Sequence, residues 1–391
     1  PPFSGTLYAN QAGKFQILSK RNDTAIVERV AINPEAFEAS PIVSRYSTPE
    51  MIQGVYAGRL YCVFNGENPL LKYRTLREKA LMYDVPEKPW EISGPDAVRF
   101  LEQLFCRTIS TLQAGRGRYA IACTPRGGVF MDGILFKLGP DRFWYVQADG
   151  AMEAWLAAHS GGIDVNISDP ESRVIQIQGP ASMDIMKSAS GGEINGDMKY
   201  FHSGFFNLGG QNLYVSRTGY TGELGYEIYT LGSATDHLAL WDHLVAAGEP
   251  YGMEISSTAS MTIRRMEAGI LSNGIDMDPT VSPFEAGLGL FVDRDKAGFI
   301  GRSALEGMDR RPRLFGLRCD RMTPSRGDPV LADGEAVGYL TGGVHSPSLD
   351  CGIGYVLFGE PGDWCGQQLE MKNRHGDVFP CDLVALPFLD P

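Results

Sequence analysis

Residues 216–229 read SRTGYTGELGYEIY and bring an aromatic ring and two carboxylates into one turn. A strand is expected over 212–216, broken at Thr-Gly-Tyr-Thr-Gly and resumed over 226–229. Gly219, Gly222 and Gly225 admit tight or left-handed backbone that other residues resist. The turn is therefore expected to hold Tyr220, Glu223 and Glu227 in a compact cluster. Such a cluster suits a flat, nitrogen-rich heterocycle, which stacks on the ring and donates its N–H groups to a carboxylate. An ordinary hairpin with its glutamates in water fits the same residues. A second candidate is Asp132, one acidic residue in the otherwise apolar GGVFMDGILF. A carboxylate in a strand buried on both faces finds a partner or has its pKa raised by desolvation. An edge-strand aspartate capping a turn is the alternative.

The elements that must position these residues follow from pattern. Apolar and polar residues alternate from residue 55, and a helix is expected near 72–82. WEISGPDAVRFL and VIQIQGPASMDIM each read as strand, Gly-Pro turn and helix, with a turn proline that costs no helix hydrogen bond. The repetition predicts two related α/β halves, each a small antiparallel sheet covered by helices. YAIAC, GVFMDGILFKL and RFWYVQA supply strands between them. Further helices are expected over 151–159, 235–248 and 257–270, the last carrying Arg264 and Arg265. Past residue 310, short strands separated by Gly/Pro turns indicate a small Greek-key β-barrel. The class is α+β, divided into an extension (1–50), a two-halved region (51–310) and a barrel (311–391).

Composition narrows the function. A chain of 391 residues is too long for one ordinary core. Mean hydropathy is −0.14, and no run approaches the ~18 apolar residues of a membrane span. No secretory signal is visible at the start. Seven scattered cysteines without a C-x-x-C pair fit reduced, buried thiols and indicate neither a disulfide framework nor a zinc site. A net charge of −12 argues against nucleic acid or anionic membrane as a partner. A cytoplasmic enzyme is expected. There is no dinucleotide fingerprint, Walker loop or serine nucleophile elbow.

Five blocks in order extend the pattern from residue 90 to residue 388: GRYAIACTPRGGVFMDGILFKL, the SRTGYTGELGYEIY turn, TIRRMEAGILSNGIDMDP with SPFEAGLGLFVDRDKAGFIGRSAL, VGYLTGGVHSPSLDCGIGYV and the terminal ALPF. Together they resemble the aminomethyltransferase family, the glycine-cleavage T-protein and its folate-dependent demethylase relatives. The resemblance implies a T-protein-like multidomain fold and tetrahydrofolate as one-carbon acceptor. By the same resemblance, Asp132 orients and polarises the folate amine, Tyr220 and Glu227 contact the pterin, and Arg265 sits at the folate site. Trp144 and Val146 match pocket-lining positions, and Tyr119 matches a family tyrosine in the strand before Asp132. A core role for Trp144 fits equally well, and Arg264 with Glu267 reads as a helix-surface ion pair.

Departures bear on the substrate. Glycine-cleavage members carry a DLSHMG-like segment where this chain has MYDVPEKPW. TIRRMEAGILSNGIDMD and the ALMYDV lead-in look closer to the dimethylsulfoniopropionate demethylase branch, whereas GELGYE stays nearer the T-protein. The K-G-C-Y-x-G-Q signature of iron–sulfur-assembly relatives is replaced by KAGFIGRS. The expected activity is therefore transfer of a methyl group from a small methylated metabolite to N5 of tetrahydrofolate. Dimethylsulfoniopropionate or a similar onium compound is the first choice, its cation cradled by Tyr83, Tyr119 and Trp144. Alternatives are glycine-cleavage aminomethyl transfer with a lipoyl carrier protein as partner, and an O- or N-demethylase on the same site. A folate-binding regulatory module is the non-enzyme alternative.

Overall fold

The computed structural model describes residues 33–389 and, before them, only a short strand pair at Tyr8–Ala9 and Phe15–Gln16. Most of the predicted 1–50 extension thus lies outside the described residues. The first sheet is antiparallel, with Asn166–Ser168, Lys88–Ser93, Arg142–Gln147, Val129–Gly139 and Arg116–Cys123 as successive neighbours. Helices Ala97–Leu104 and Met152–His159 cover one face, packing Phe100, Leu101, Leu104 and Leu156 on Leu135 and Tyr145. The second sheet runs Ser203–Leu208, Gln211–Ser216, Gly225–Tyr229, Val174–Gln178, Leu81–Val85 and Glu254–Ile255. Its last pair is parallel, so this half is mixed where a wholly antiparallel sheet is expected. Helices Ser182–Ala189 and His237–Gly248 cover it through Ile185, Met186, Trp241 and Leu244.

The two sheets face each other through their uncovered sides. Phe136, Trp144 and Val146 come from the first and Tyr83, Tyr214 and Tyr229 from the second. Trp144 lies edge-on to Tyr214 at 5.5 Å and to Tyr229 at 6.1 Å. Burying such a side chain contributes about 1.5–3 kcal/mol, so this aromatic layer fixes the relative placement of the halves. The helix expected at 72–82 is Pro69–Glu78 instead. Asn68 caps it by accepting from Leu70 N and Leu71 N, and Pro69 occupies the first turn, where no hydrogen bond is lost. The chain then enters strand Leu81–Val85, which takes the residues assigned to the end of the helix.

A closed barrel follows, ordered Leu314–Cys319, Cys351–Phe358, Glu335–Ser346, Pro329–Ala332, Gln368–Lys372 and Val378–Val384. The first strand sits beside the fourth while the second to fourth form a meander, which is a Greek key. The fold is thus α+β, two sheet-and-helix halves followed by a closed terminal barrel. Helix Thr258–Glu267 joins the barrel to the sheets: Tyr355 Oη donates to Met266 O at 3.0 Å, and Phe388 N donates to Glu267 O at 2.9 Å. No helix of the described residues is long and apolar enough to cross a membrane. The cysteines are free; all are buried except Cys365, which is exposed.

Candidate active site

Strand Val129–Gly139 runs between two neighbours and carries Asp132 opposite Ile121. Tyr119 lies two residues from Ile121 on the adjoining strand, the diagonal position from which a long side chain reaches across. Its hydroxyl donates to Asp132 Oδ2 at 2.8 Å. The other oxygen, Oδ1, is buried without a hydrogen-bond partner. Asp132 is 8% exposed, and burial pushes its carboxyl up to about 6 against the opposing effect of the Tyr119 hydrogen bond. The Tyr119 hydroxyl is held far above its ordinary pKa by burial and by Asp132, so it remains a donor. An orphaned, desolvated carboxylate oxygen is costly and is the feature a ligand's N–H would relieve.

The turn at 217–224 places its residues apart rather than in one cluster. Glu223 leaves for the junction with helix Pro69–Glu78, accepting from Arg264 Nε at 2.7 Å and pairing with Arg77. Glu227 turns inward and is 6% exposed. Its Oε2 accepts from Thr218 Oγ1 and Tyr229 Oη, both at 2.6 Å, and its Oε1 from Gln176 Nε2 at 2.8 Å. Burial still raises its carboxyl above the usual range. Tyr220 donates to Leu271 O at 2.8 Å, within electrostatic reach of Arg265, Asp276 and Asp132. Only Gly222 of the three turn glycines has a positive φ, +69°. Gly219 and Gly225 are needed for another reason: a Cβ on either would lie 2.0 Å and 2.3 Å from the Gln178 side chain.

Other expected site residues have partners within the chain. Arg265 gives Nη1 to Asp276 Oδ2 at 2.8 Å and to Ile270 O at 2.9 Å, so its charge is balanced internally. Arg264 and Glu267, expected as a surface pair, are both fully buried, 3.8 Å apart. Trp144 is fully buried with Nε1 on Glu91 Oε2 at 2.8 Å, and Val146 packs beside it in the aromatic layer. Tyr83 is likewise fully buried, its hydroxyl 3.1 Å from Ser260 Oγ, and its ring is spent on packing rather than open to a donor. Asp132, Tyr119, Tyr220 and Glu227 remain the candidate residues of an interior site.

The geometry adds two groups that pattern did not single out. Hairpin Ile52–Tyr56 and Arg59–Phe64 turns through Ala57 and Gly58, both at positive φ. Ala57 N donates to Asp149 Oδ1 at 2.8 Å, which pins the tip beside the segment whose Ala148 N donates to Asp132 O at 3.2 Å. Tyr56 is thereby brought within electrostatic reach of Glu87, Tyr220, Asp132 and Asp149. Arg59 of the hairpin donates through Nη1 to Glu87 O at 2.8 Å. Glu87 Oε2 is buried without a partner, and its carboxyl is pushed up to about 8 by burial first and Glu227 second. The available signals were the Ala-Gly turn at 57–58 and the MYDVPEKPW departure itself.

Residues 71–296 match the GCVT N-terminal domain, and residues 313–390 match the glycine cleavage T-protein C-terminal barrel domain. The chain belongs to the glycine-cleavage T-protein family. An aminomethyltransferase of Clostridium botulinum (strain Loch Maree / Type A3) is 32% identical over 79% of this chain and 86% of its own length. One from Lysinibacillus sphaericus is 29% identical over 81% and 88%. The crystal structure of the glycine cleavage system aminomethyltransferase T from Bartonella henselae superposes with a TM-score of 0.81 at 25% identity, covering 90% of this chain and 98% of that one. T-protein family members are enzymes whose one-carbon acceptor is tetrahydrofolate. Their acceptor fits the groups found here, since Asp132 Oδ1 lacks a donor and Glu227 presents a buried carboxylate. The demethylase branch does not appear among the relatives described here, which are aminomethyltransferases.

Proposed function

We propose that this chain transfers a methyl group from a small onium donor to tetrahydrofolate. The observation that carries this reading is the acidic interior of the site, where Asp132 and Glu87 each keep a buried oxygen without a partner. Arg265 is neutralised by Asp276, and Arg59 is engaged by Glu38 and the Glu87 carbonyl, with Nη2 left without a hydrogen-bond partner. An onium methyl is already activated, so its transfer to an amine is a redox-neutral displacement that needs positioning and exclusion of water.

Bound tetrahydrofolate supplies the nucleophilic N5 amine. Asp132 accepts a hydrogen bond at Oδ1 while Tyr119 holds Oδ2, which fixes the carboxyl's orientation. As the carbon–nitrogen bond forms, the carbon–sulfur or carbon–nitrogen bond of the donor breaks, and its electron pair leaves with a neutral sulfide or amine. Asp132 takes the proton shed by the amine, a role suited to a carboxyl whose pKa lies near 6. Glu227, fixed by three donors, and the Tyr220 ring provide the polar and apolar parts of a pterin site.

The second reading is aminomethyl transfer from a lipoyl carrier protein, favoured by the 32% identity to an aminomethyltransferase. An aminomethyl arm is also cationic and suits the same acidic interior. Incubation with tetrahydrofolate and a panel of dimethylsulfoniopropionate, glycine betaine, dimethylglycine, vanillate and an aminomethylated lipoyl carrier separates the two by mass spectrometry. 5-Methyltetrahydrofolate from an onium donor is expected. Appearance of 5,10-methylenetetrahydrofolate from the carrier alone would replace this reading with the second.

A further inference from the structure

The hairpin Ile52–Phe64 has a density of polar contacts that a surface ornament does not need. Asp149 holds its tip, and Arg59, 1% exposed, ties its second strand to the Glu87 carbonyl and to Glu38 Oε2 at 3.1 Å. The result is a fixed wall carrying Tyr56 next to a segment carrying Glu87. The Tyr56 hydroxyl makes no hydrogen bond among the described residues, and its largest electrostatic neighbour is Glu87. Asp132, more than nine-tenths buried, is within electrostatic reach of Tyr56 and keeps Oδ1 without a partner.

We propose that Tyr56 and Glu87 form a subsite for the cationic group of the one-carbon donor, with Asp132 at its inner end. This rests on the onium reading above and deepens it to named residues. An onium group offers no N–H or O–H, so it is recognised by diffuse charge against carboxylates and an aromatic ring. A carboxylate left alone in such a space is penalised by desolvation, and a cation placed beside it removes that penalty. A neutral group of the same shape cannot.

The groups acting on Glu87 are Glu227 and Asp84, which oppose its ionisation, and Arg59, which favours it. Burial is the largest influence, and the repulsion from Glu227 adds to it more than its own backbone N–H or Arg59 individually takes away, so Glu87 holds a proton at neutral pH in the empty site. Cation binding then expels that proton. Affinity for the cation accordingly rises with pH until Glu87 ionises unaided, near 8.

Titration calorimetry on the intact protein tests this with dimethylsulfoniopropionate and 4-methylpentanoate, the isostere in which CH replaces the sulfonium sulfur and only the carboxylate charge remains. Measurements at several pH values, in buffers of differing ionisation enthalpy, count the protons released. The cation is expected to bind at least about ten-fold tighter than the isostere, with proton release at pH 7. Glu87→Gln is expected to abolish both the preference and the release while tetrahydrofolate affinity persists. Tyr56→Leu, which removes no hydrogen bond, is expected to reduce cation affinity several-fold and serves if Glu87→Gln does not fold. Equal binding of cation and isostere, or full preference retained in the variants, overturns the subsite. Methyl transfer is read separately: preference without 5-methyltetrahydrofolate removes the proposed reaction alone, and turnover with preference untouched by Glu87→Gln removes this inference alone.

Discussion

Arg265 and Asp132 are both charged groups in the protein interior, yet the first is spent on Asp276 and the Ile270 carbonyl while the second keeps Oδ1 without a partner. Around Arg265 the saturation continues. Asp276 Oδ1 also accepts from Thr341 of the barrel, and Glu267 receives Tyr73 Oη at 2.7 Å and the Ser346 hydroxyl. Glu223 meanwhile takes Arg264 and Arg77. Around Asp132 the chain supplies one hydroxyl and no cation. The difference separates two uses of a buried charge. The Arg265–Asp276 and Glu267 contacts hold the sheets, helix and barrel in register, and Arg264 Nη1 and Nη2 stay without hydrogen-bond partners inside that network. The open Oδ1 of Asp132 faces the proposed acceptor instead.

The comparison breaks most easily on its saturated side. Asp276→Ala strands a buried guanidinium and is expected to cost about 3–5 kcal/mol in urea denaturation. A loss below about 1 kcal/mol would show that Arg265 finds water instead. On the other side, Asp132→Asn should lower turnover roughly 10- to 1,000-fold without lowering stability at pH 7. The sign follows from the raised carboxyl: the folded state binds its proton up to about pH 6, the unfolded state only to about pH 4. Neutral pH therefore carries a penalty that Asn removes. Parallel loss of stability and turnover would make Asp132 structural.

Glu87 extends the same argument. Its folded pKa near 8 exceeds the unfolded value near 4.3, so ligand-free stability should fall as pH rises through that interval. Melting temperatures from pH 5 to 9 are expected to decline less steeply in Glu87→Gln; an identical slope would place the titration elsewhere. Glu227→Ala is expected to weaken tetrahydrofolate binding by about 1–3 kcal/mol, measured by calorimetry. Unchanged affinity would assign Glu227 to the saturated class with Arg265. Arg45→Ala, at an exposed pair with Asp242, provides the lower bound and should cost less than about 1 kcal/mol in the same denaturation assay.

Legibility in the sequence followed the range of the interactions. Asp132 stood out because one acidic residue in an apolar strand is a local anomaly, and the barrel because turn residues punctuate its strands. Trp144 and Val146 carry no local mark that separates a pocket wall from a core between two sheets. Arg265 is placed at the folate site by resemblance alone, and its pairing with Asp276, beyond the end of its helix and across a turn, leaves no local mark. Glu223 and Glu227 are four residues apart, yet the close packing of Gly219 and Gly225 on Gln178 bends the turn so that they face different regions. Tyr56 depends on a contact between Ala57 and Asp149, which no local period records.

The placement of the hairpin carries one more consequence. It precedes the span matched to the family, which begins at residue 71, while Asp132, Tyr220 and Glu227 lie inside that span. The proposed donor subsite thus takes Tyr56 from the hairpin and Glu87 from inside that span, the two stretches being tied by Arg59 on the Glu87 carbonyl and by Ala57 on Asp149. One wall of the proposed subsite becomes an exchangeable part: grafting a different 52–64 segment onto the same scaffold would replace the aromatic side facing the donor while leaving Glu87, Asp132 and the acceptor residues in place.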